Sequence, residues 1–286
     1  MPELPEVELA ARNLRRWTAG RRIVAAHAAP AARRILRPGQ PRSVGKLVGA
    51  RFGKVDRIGK HLLLTLTGTE SPIGIWSHLG MTGKWLHRTN GDAAPGATRV
   101  WLDLDDGSRL HYVDPRMFGR FRLVRGARFD EVADLKALGP DPLKDGIDVA
   151  TLHRTLQATA IAVKVALLDQ RRLAGVGNIQ ANESLHRAAL DPRRASRSLS
   201  RVEVGRLARS ILKSIHHSLA EFARTGADGN AVDVAYVEEP GTPNPFLVYG
   251  RAGSPCPRCK RRRMRGIIRR IVQAQRATFF CPVCQT

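Results

Sequence analysis

The sequence predicts a multidomain α+β protein in which an antiparallel β domain comes first, a helical region follows and a small cysteine-containing element ends the chain. Three observations predict this arrangement. Short β-type runs separated by glycines fill residues 21–125, and helical periodicity dominates beyond residue 150. All four cysteines lie in the last 31 residues. With 286 residues and 43% apolar side chains, the chain is long enough to build more than one core.

The charge balance is strongly basic. The chain has 48 Lys and Arg residues against 25 Asp and Glu residues, a formal net charge of +23. Such a surface favours nucleic acid as a partner, because each phosphate that is neutralised releases condensed counterions. An ordinary soluble enzyme with a basic surface is the alternative. No apolar run approaches the roughly 20 residues of a membrane span, and the first residues lack a signal-peptide layout. We therefore expect a protein of the reducing cytoplasm.

The first element is an amphipathic helix. Leu4, Val7, Ala11 and Leu14 recur at three- and four-residue steps, which predicts a helix over residues 3–18 that ends near a glycine.

The β domain is predicted from five runs. Apolar residues alternate with polar ones on both sides of the turn Asp106-Gly107, which is typical of a hairpin. Several such strands close together predict an antiparallel sandwich or barrel. The runs are RRIVAAHAA, HLLLTLTG, IGIWSHLGMTG, TRVWLDLDDGSRLHYVD and GRFRLVRG.

Residues 136–148 are rich in Pro, Gly and Asp and predict an interdomain linker. Ser200 and Glu203 have capping-box spacing and predict the start of the longest helix. Residues 226–246 are predicted to form a long loop. The predicted helices cover residues 151–158, 161–172, 178–189 and 201–224.

The cysteines form two C-x-x-C pairs, CPRC and CPVC, with 21 residues between them. Two such pairs about 20 residues apart are typical of a tetrahedral zinc site. Because four thiolates leave no open position for water, the sequence predicts one structural Zn²⁺, with two disulfides as the alternative. Residues 251–286 hold ten Lys or Arg residues and no acid, and a predicted hairpin between the pairs would present arginines to phosphate. The predicted ligands are Cys256, Cys259, Cys281 and Cys284.

The opening MPELPEVE predicts a reactive amine. Removal of Met1 is expected before a small residue such as proline, and it leaves Pro2 with a secondary amine that titrates about 2 to 3 pH units below a lysine. Attack on a sugar C1′ gives an iminium ion, an electron sink that permits elimination of the 3′ and then the 5′ phosphate. Glu3 sits beside the amine and can move protons. The alternative is that Pro2, Glu3, Pro5 and Glu6 only start a helix.

Six motifs occur along the chain in the order MPELPEVE, GKHLLL, HLGMTG, DPRMFG, GVGNIQANESL and QAQRATFFCPVC. Together they resemble the formamidopyrimidine-DNA glycosylase family over nearly the whole chain. The resemblance implies an N-terminal β-sandwich and a C-terminal helical domain with a helix–two-turns–helix motif and a zinc finger, with DNA in the cleft between. It implies excision of oxidised purines, namely 8-oxoguanine and formamidopyrimidines, followed by β,δ-elimination at the abasic site.

The resemblance also assigns roles to single residues. Pro2 matches the Schiff-base nucleophile and Glu3 the catalytic acid. Lys60 and Arg276 match basic residues that contact phosphates beside the lesion, although a solvated charge at a strand start is the alternative for Lys60.

Five further residues match DNA contacts. Extraction of a base leaves a hole in the stack, and three of the five match residues that fill it. Core packing is the alternative for the apolar members, and a solvated helix lysine is the alternative for the lysine. An asparagine at a predicted helix start would hold a phosphate together with backbone N–H groups. The five residues are Met81, Arg116, Phe118, Lys164 and Asn178.

The expected domains are residues 1–135 for the catalytic β-sandwich with its leading helix, 136–148 for the linker, 149–250 for the helical DNA-binding domain and 251–286 for the finger. The protein is expected to act as a monomer on double-stranded DNA with damaged bases or abasic sites.

Three departures from the family pattern concern the choice of base. The finger has a longer, Arg-rich segment between its cysteine pairs, residues 226–246 differ from the usual loop over 8-oxoguanine, and Met117 stands where a basic residue is frequent. Two alternatives therefore stay open: an endonuclease VIII-like enzyme for oxidised pyrimidines, and a zinc-dependent protein that binds distorted DNA without cutting it.

Overall fold

The structure of the protein is a computed structural model that describes residues 2–36, 43–89, 91–224, 236, 237, 239 and 241–286. The chain divides into two compact units. The first comprises Met1–Lys136 with Phe222–Glu239, and the second comprises Ala137–Glu221 with Pro240–Thr286.

The first unit contains a leading helix, a set of antiparallel strands and a short helix after them. The predicted hairpin is present, since Leu102 pairs with Leu110 and Val100 with Tyr112. The elements are α1 (Leu4–Trp17), β1 (Ile23–Ala28), β2 (Arg51–Ile58), β3 (His61–Thr67), β4 (Ile73–His78), β5 (Lys84–Arg88), β6 (Thr98–Leu104), β7 (Arg109–Val113), β8 (Arg120–Arg125) and α2 (Ala133–Lys136).

The strands form two four-stranded antiparallel sheets, with orders β2-β3-β4-β8 and β1-β6-β7-β5. Their inner faces share one core, to which Leu64 and Phe121 contribute from the first sheet and Leu102 and Tyr112 from the second. The predicted β-sandwich is thereby confirmed. Strands β2 and β5, which were not among the predicted runs, are both edge strands with many charged residues, so their hydrophobic alternation is weak.

The remaining elements follow along the chain. They are α3 (Val149–Gln157), α4 (Val163–Leu167), α5 (Asn178–Ala188), α6 (Arg201–Arg224), α7 (Pro257–Arg261), β9 (Arg269–Gln273) and β10 (Arg276–Phe280); short 3-10 turns occur at Pro30–Arg34, Val44–Leu47, Phe129–Glu131 and Ser196–Ser198.

The helix predicted over residues 161–172 is wrong in length, since α4 ends at Leu167. The side chain of Gln170 explains why. It donates hydrogen bonds to the Leu168 and Val176 carbonyls at 3.0 and 2.8 Å, and it accepts one from the Gly175 N–H at 2.9 Å. These local bonds close a turn where helical bonds would otherwise continue.

Helices α5 and α6 are joined by a buried side-chain amide. The Gln180 amide, buried on α5, donates to Ser218 Oγ and accepts from Ser214 Oγ, both at 2.8 Å. The predicted capping box of α6 is present, because the Ser200 N–H donates to a Glu203 carboxylate oxygen at 2.8 Å and the Glu203 N–H donates to Ser200 Oγ at 3.3 Å.

The cysteine-containing end of the chain carries the predicted hairpin. Arg276 pairs with Gln273 across β9 and β10, and the turn between them places Ala274 and Gln275 at positive φ. The predicted loop at residues 226–246 lies largely outside the described residues. In the described part of the chain no helix is both long enough and apolar enough to cross a membrane.

Candidate functional site

The start of the chain is buried. Pro2 is buried and Glu3 is 1% exposed as the N-cap of α1. Glu3 and Glu6 form a reciprocal capping box, in which the Glu3 N–H donates to Glu6 Oε2 at 3.0 Å and the Glu3 side chain accepts from the Glu6 N–H. These residues therefore do start a helix, and the same contacts fix the backbone of Glu3, the residue that follows the candidate nucleophile.

Glu6 is a buried acid that the sequence pattern did not identify as special. Burial, and after it the negative charge of Glu3, raises the pKa of Glu6 from 4.5 to about 7. Near neutral pH the Glu6 side chain is therefore partly protonated, and this side chain is hydrogen-bonded to the backbone of the candidate acid Glu3.

Lys60 lies in the turn between β2 and β3, and this turn is braced against α1. Arg57, which is 3% exposed, donates to the Gly59 carbonyl at 2.9 Å and to Glu8 Oε2 at 2.9 Å. Glu8 lies on the helix that begins beside Pro2. The ion pair therefore connects the element carrying the candidate nucleophile with the turn carrying Lys60.

Two neutral histidines, His61 and His78, pair with each other across β3 and β4 next to this turn. Burial lowers the pKa of His61 to about 3 and that of His78 to about 4, and the positive charge of Lys60 adds to both shifts. The His61 Nδ1 accepts from the Trp76 indole N–H at 3.0 Å, and the His78 Nδ1 accepts from the Gly80 N–H at 3.0 Å. Both rings therefore act as uncharged acceptors at neutral pH.

Met81 and Phe118 lie on two loops of the first unit, β4–β5 and β7–β8. They are 37% and 56% exposed, so the core-packing alternative is wrong for both. The Arg116 guanidinium lies 5.0 Å from the centre of the Phe118 ring. Met117, between them, has φ +56° and packs against the core. The two apolar side chains and the arginine are thus presented outwards.

In the second unit two of the candidate DNA contacts, Asn178 and Arg276, lie on neighbouring elements, and the third, Lys164, is buried. The Asn178 Nδ2 donates to the Ala277 carbonyl at 3.0 Å, which places the start of α5 beside β10, where the exposed Arg276 is the first residue. Lys164 is fully buried, so the interpretation as a solvated helix lysine is wrong.

The four cysteines come together in the second unit. Their sulfur atoms all lie within 4.8 Å of one another, with 3.7 Å between Cys256 and Cys284 and 3.6 Å between Cys259 and Cys281. A tetrahedral metal site with bonds of about 2.3 Å places its sulfurs about 3.8 Å apart, whereas a disulfide requires about 2.05 Å. The geometry therefore fits a four-thiolate metal site.

The sequence did not predict two sets of contacts made by the segment that precedes the cysteine cluster. Glu183, which is 1% exposed, accepts the N–H groups of Leu247, Val248 and Tyr249 at 2.9, 2.8 and 3.0 Å. An acid within a helical pattern gives no signal for partners 64 to 66 positions along the chain.

The second missed contact lies in the first unit. The Tyr236 hydroxyl donates to the Gly83 carbonyl, and the Lys84 ammonium lies 4.8 Å above the tyrosine ring while it pairs with Glu239 at 2.7 Å. Two residues of the segment predicted as a loop are therefore attached to the β4–β5 connection that carries Met81.

Two family models match the chain. The model described as the formamidopyrimidine-DNA glycosylase N-terminal domain covers residues 1–121, and the one described as the formamidopyrimidine-DNA glycosylase H2TH domain covers residues 138–227.

Relatives named formamidopyrimidine-DNA glycosylase match the whole chain. The protein of Laribacter hongkongensis is 40% identical over 291 positions, covering 100% of both chains. The protein of Thermus thermophilus is 39% identical over 291 positions, covering 100% of this chain and 98% of its own.

Solved structures agree with these matches. The Thermus thermophilus Fpg protein superimposes with a TM-score of 0.78 at 36% identity, over 99% of this chain and 98% of its own. Lactococcus lactis Fpg superimposes with a TM-score of 0.84 at 26% identity in complex with abasic-site DNA, over 99% of each chain. In complex with Fapy-dG DNA it gives 0.83 at 27% identity, over 99% of this chain and 100% of its own. By its sequence over its full length and by its fold, this chain belongs to the formamidopyrimidine-DNA glycosylase family.

Proposed function

We propose that this protein is a bifunctional base-excision repair enzyme that removes oxidised purines, 8-oxoguanine and formamidopyrimidines, from double-stranded DNA and then nicks the abasic site. Full-length similarity to relatives of that name and the DNA complexes of its structural neighbours support the proposal. The single observation that carries it is the buried Pro2-Glu3 pair, held by a capping box at the start of α1.

In the proposed mechanism, loss of Met1 frees the Pro2 secondary amine. Its nitrogen attacks C1′ as the damaged base departs, and the product is an iminium ion that needs no proton to keep its charge. The acidified adjacent carbon then permits elimination of the 3′ phosphate and afterwards of the 5′ phosphate. Glu3 protonates the ring oxygen as the sugar opens and carries protons in the later steps.

We assign the remaining candidates to DNA binding. Lys60 and Arg276 neutralise phosphates beside the lesion. The family resemblance assigns Lys164 to the damaged nucleotide, although its side chain is fully buried in this structure. The start of α5 at Asn178 offers backbone N–H groups to a phosphate, because the Asn178 side chain is engaged with Ala277. Met81, Arg116 and Phe118 fill the gap in the stack, which offsets the few kcal/mol of unstacking.

We propose that the four cysteines hold one Zn²⁺. Their close sulfur distances and the lack of an open ligand position support a structural role, in which the ion stabilises the hairpin that carries Arg276. The predicted domains at residues 1–135, 149–250 and 251–286 stay a proposal, as does an enzyme that works as a monomer at the bacterial nucleoid.

Borohydride trapping on DNA with single defined lesions tests the function. We expect a covalent complex with abasic DNA and with 8-oxoguanine DNA, and we expect Pro2→Gly to weaken or reroute it. Intact-mass measurement should show a chain without Met1. No adduct at all would leave only a DNA-binding protein, and a clear preference for oxidised pyrimidines would instead favour the endonuclease VIII-like alternative.

A further inference from the structure

The two loops that carry Met81 and Phe118 are separate in sequence but share one buried carboxylate. Asp114 is fully buried. Its Oδ1 accepts from the Thr82 hydroxyl at 2.8 Å, and its Oδ2 accepts from the Gly119 N–H at 2.7 Å. Thr82 immediately follows Met81 and Gly119 immediately follows Phe118, so each oxygen of one acid holds one loop directly beside its exposed apolar residue.

A second hydrogen bond joins the two loops. The Arg116 N–H donates to Thr82 Oγ1 at 3.3 Å, so this hydroxyl donates to one residue of the β7–β8 loop and accepts from another.

The loop backbones also touch directly. A Cβ atom at Gly80 would lie 2.4 Å from the Phe118 carbonyl carbon, and one at Gly119 would lie 1.9 Å from the Tyr112 hydroxyl oxygen. Gly80 therefore permits a backbone contact between the two loops that no larger residue allows, and Gly119 permits close packing of its loop against β7. Between this packing and the carboxylate, neither loop can move far without the other.

We infer that Asp114 is a positioning residue that holds Met81 and Phe118 together as one preorganised wedge, so that the two side chains need not be positioned separately when they enter the base stack. The inference rests on the proposed function. A wedge must displace stacked bases at a cost, and two side chains that are already fixed relative to each other lose less conformational entropy on insertion than two independent loops. Asp114 acts through the loops and does not itself touch DNA.

Thr82→Val is the most selective test, because it keeps the side-chain shape and removes one hydroxyl from the network. Asp114→Ala would leave several buried groups without partners and is less informative. Thr98→Val is the matched control: the Thr98 hydroxyl donates to the Pro95 carbonyl at 2.8 Å and lies 3.2 Å from His111 Nδ1 on β7, and neither partner is on a wedge loop.

Each protein is assayed on an 8-oxoguanine duplex and on a single-stranded oligonucleotide with an abasic site, which has no duplex stack to open. We expect Thr82→Val to slow base excision from the duplex by about tenfold, the usual effect of losing one hydrogen bond to a charged group. Nicking of the single strand should change by less than about twofold, and Thr98→Val should leave both rates near wild type.

A second readout reports the wedge itself. With 2-aminopurine next to a stable abasic analogue, insertion of the wedge should raise the fluorescence, and Thr82→Val should reduce this rise at saturating protein. Equal loss on duplex and single strand, or no loss on either, would overturn the inference. Failure of the wild-type protein on both substrates would instead contradict the proposed function.

Discussion

Glu6 is a residue whose chemistry is not indicated by its local sequence pattern. In sequence it is one of several acids in a helix start, yet in the structure it is 2% exposed, and its carboxylate holds the Glu3 backbone. Burial raises its pKa to about 7. The proton on this group is therefore coupled both to the stability of the fold and to the position of the candidate catalytic acid.

The sign of the stability effect follows from the direction of that shift. Because the folded-state pKa of Glu6 lies above the unfolded value of 4.5, its contribution is fully present below about pH 4.5 and is lost as the pH rises through about 7. The loss is on the order of 3 kcal/mol. We expect Glu6→Gln to remove this loss, since glutamine still accepts the Glu3 N–H but does not ionise.

Urea unfolding at pH 4.5 and pH 8 measures this. The free energy of unfolding of Glu6→Gln, relative to wild type, should be higher at pH 8 than at pH 4.5, whereas the exposed Glu70→Gln should follow wild type at both values. A Glu6→Gln profile parallel to wild type would show that Glu6 does not titrate in this range.

At the scale of single elements, the ion pair between Glu8 and Arg57 joins α1 to the turn of Lys60. Burial opposes ionisation of Glu8, but hydrogen bonds from Arg57 and Arg12 outweigh it and lower its pKa. Glu8→Gln removes the carboxylate charge that pairs with the buried Arg57 and should lower the free energy of unfolding by about 3 kcal/mol.

Arg12→Gln is the matched control for this pair. Arg12 binds the same carboxylate at 2.9 Å, but its side chain is 52% exposed, so we expect a loss below about 1 kcal/mol. Chemical denaturation of both variants compares the two arginine contacts. Similar losses would mean that the brace between α1 and the Lys60 turn contributes no more than a surface pair.

Gly266 is the point at which the Arg-rich segment touches the sulfur cluster. A Cβ atom there would lie 2.5 Å from Cys259 Sγ and 2.7 Å from Cys281 Sγ. Gly266→Ala should therefore lower the zinc content and weaken DNA binding, whereas Gly205→Ala in α6 meets only ordinary contacts at 3.7 Å and should leave both unchanged. Metal analysis after dialysis checks this, and a full zinc complement in Gly266→Ala would contradict the fit.

At the scale of the whole molecule, the charge of +23 predicts binding that depends steeply on salt. Arg261, Arg262 and Arg263 are exposed in the segment between the cysteine pairs. Changing them to Gln should make the plot of log binding constant against log salt concentration less steep, by roughly 0.9 for each arginine that contacts a phosphate. Exposed Arg33 and Arg34, changed in the same way, serve as the control, and an unchanged slope would exclude these finger arginines from the interface.

Removal of the proposed Zn²⁺ should affect the stability of the two units differently. All four tryptophans, at positions 17, 76, 85 and 101, lie in the first unit, so their fluorescence reports on the sandwich alone. A chelator should abolish DNA binding while the tryptophan emission stays near its native position, because metal binding provides much of the folding energy of such small sites. A simultaneous loss of native emission would mean that the units unfold together.

Much of the fold was predictable because its signals are local. The period of α1, the alternation around Asp106-Gly107 and the capping box of α6 each arise within a few neighbouring residues. The edge strands β2 and β5 were not predicted, because pairing with a neighbour rather than their own pattern makes them strands. The helix expected over residues 161–172 stopped at Leu167 because the Gln170 amide competes for the backbone.

The sequence by itself determined the two-part α+β plan, the four-cysteine cluster and the candidate reactive residues at the start of the chain, since each depends on residue types at short, fixed spacing. Only the tertiary structure decided that Glu6 is buried, that Arg57 braces the Lys60 turn and that Asp114 joins the loops of Met81 and Phe118. The Arg57–Glu8 and Thr82–Asp114 contacts bring together residues 49 and 32 positions apart. Such pairs carry no periodic signal, because the distance between them is set by how the sheets and helix pack.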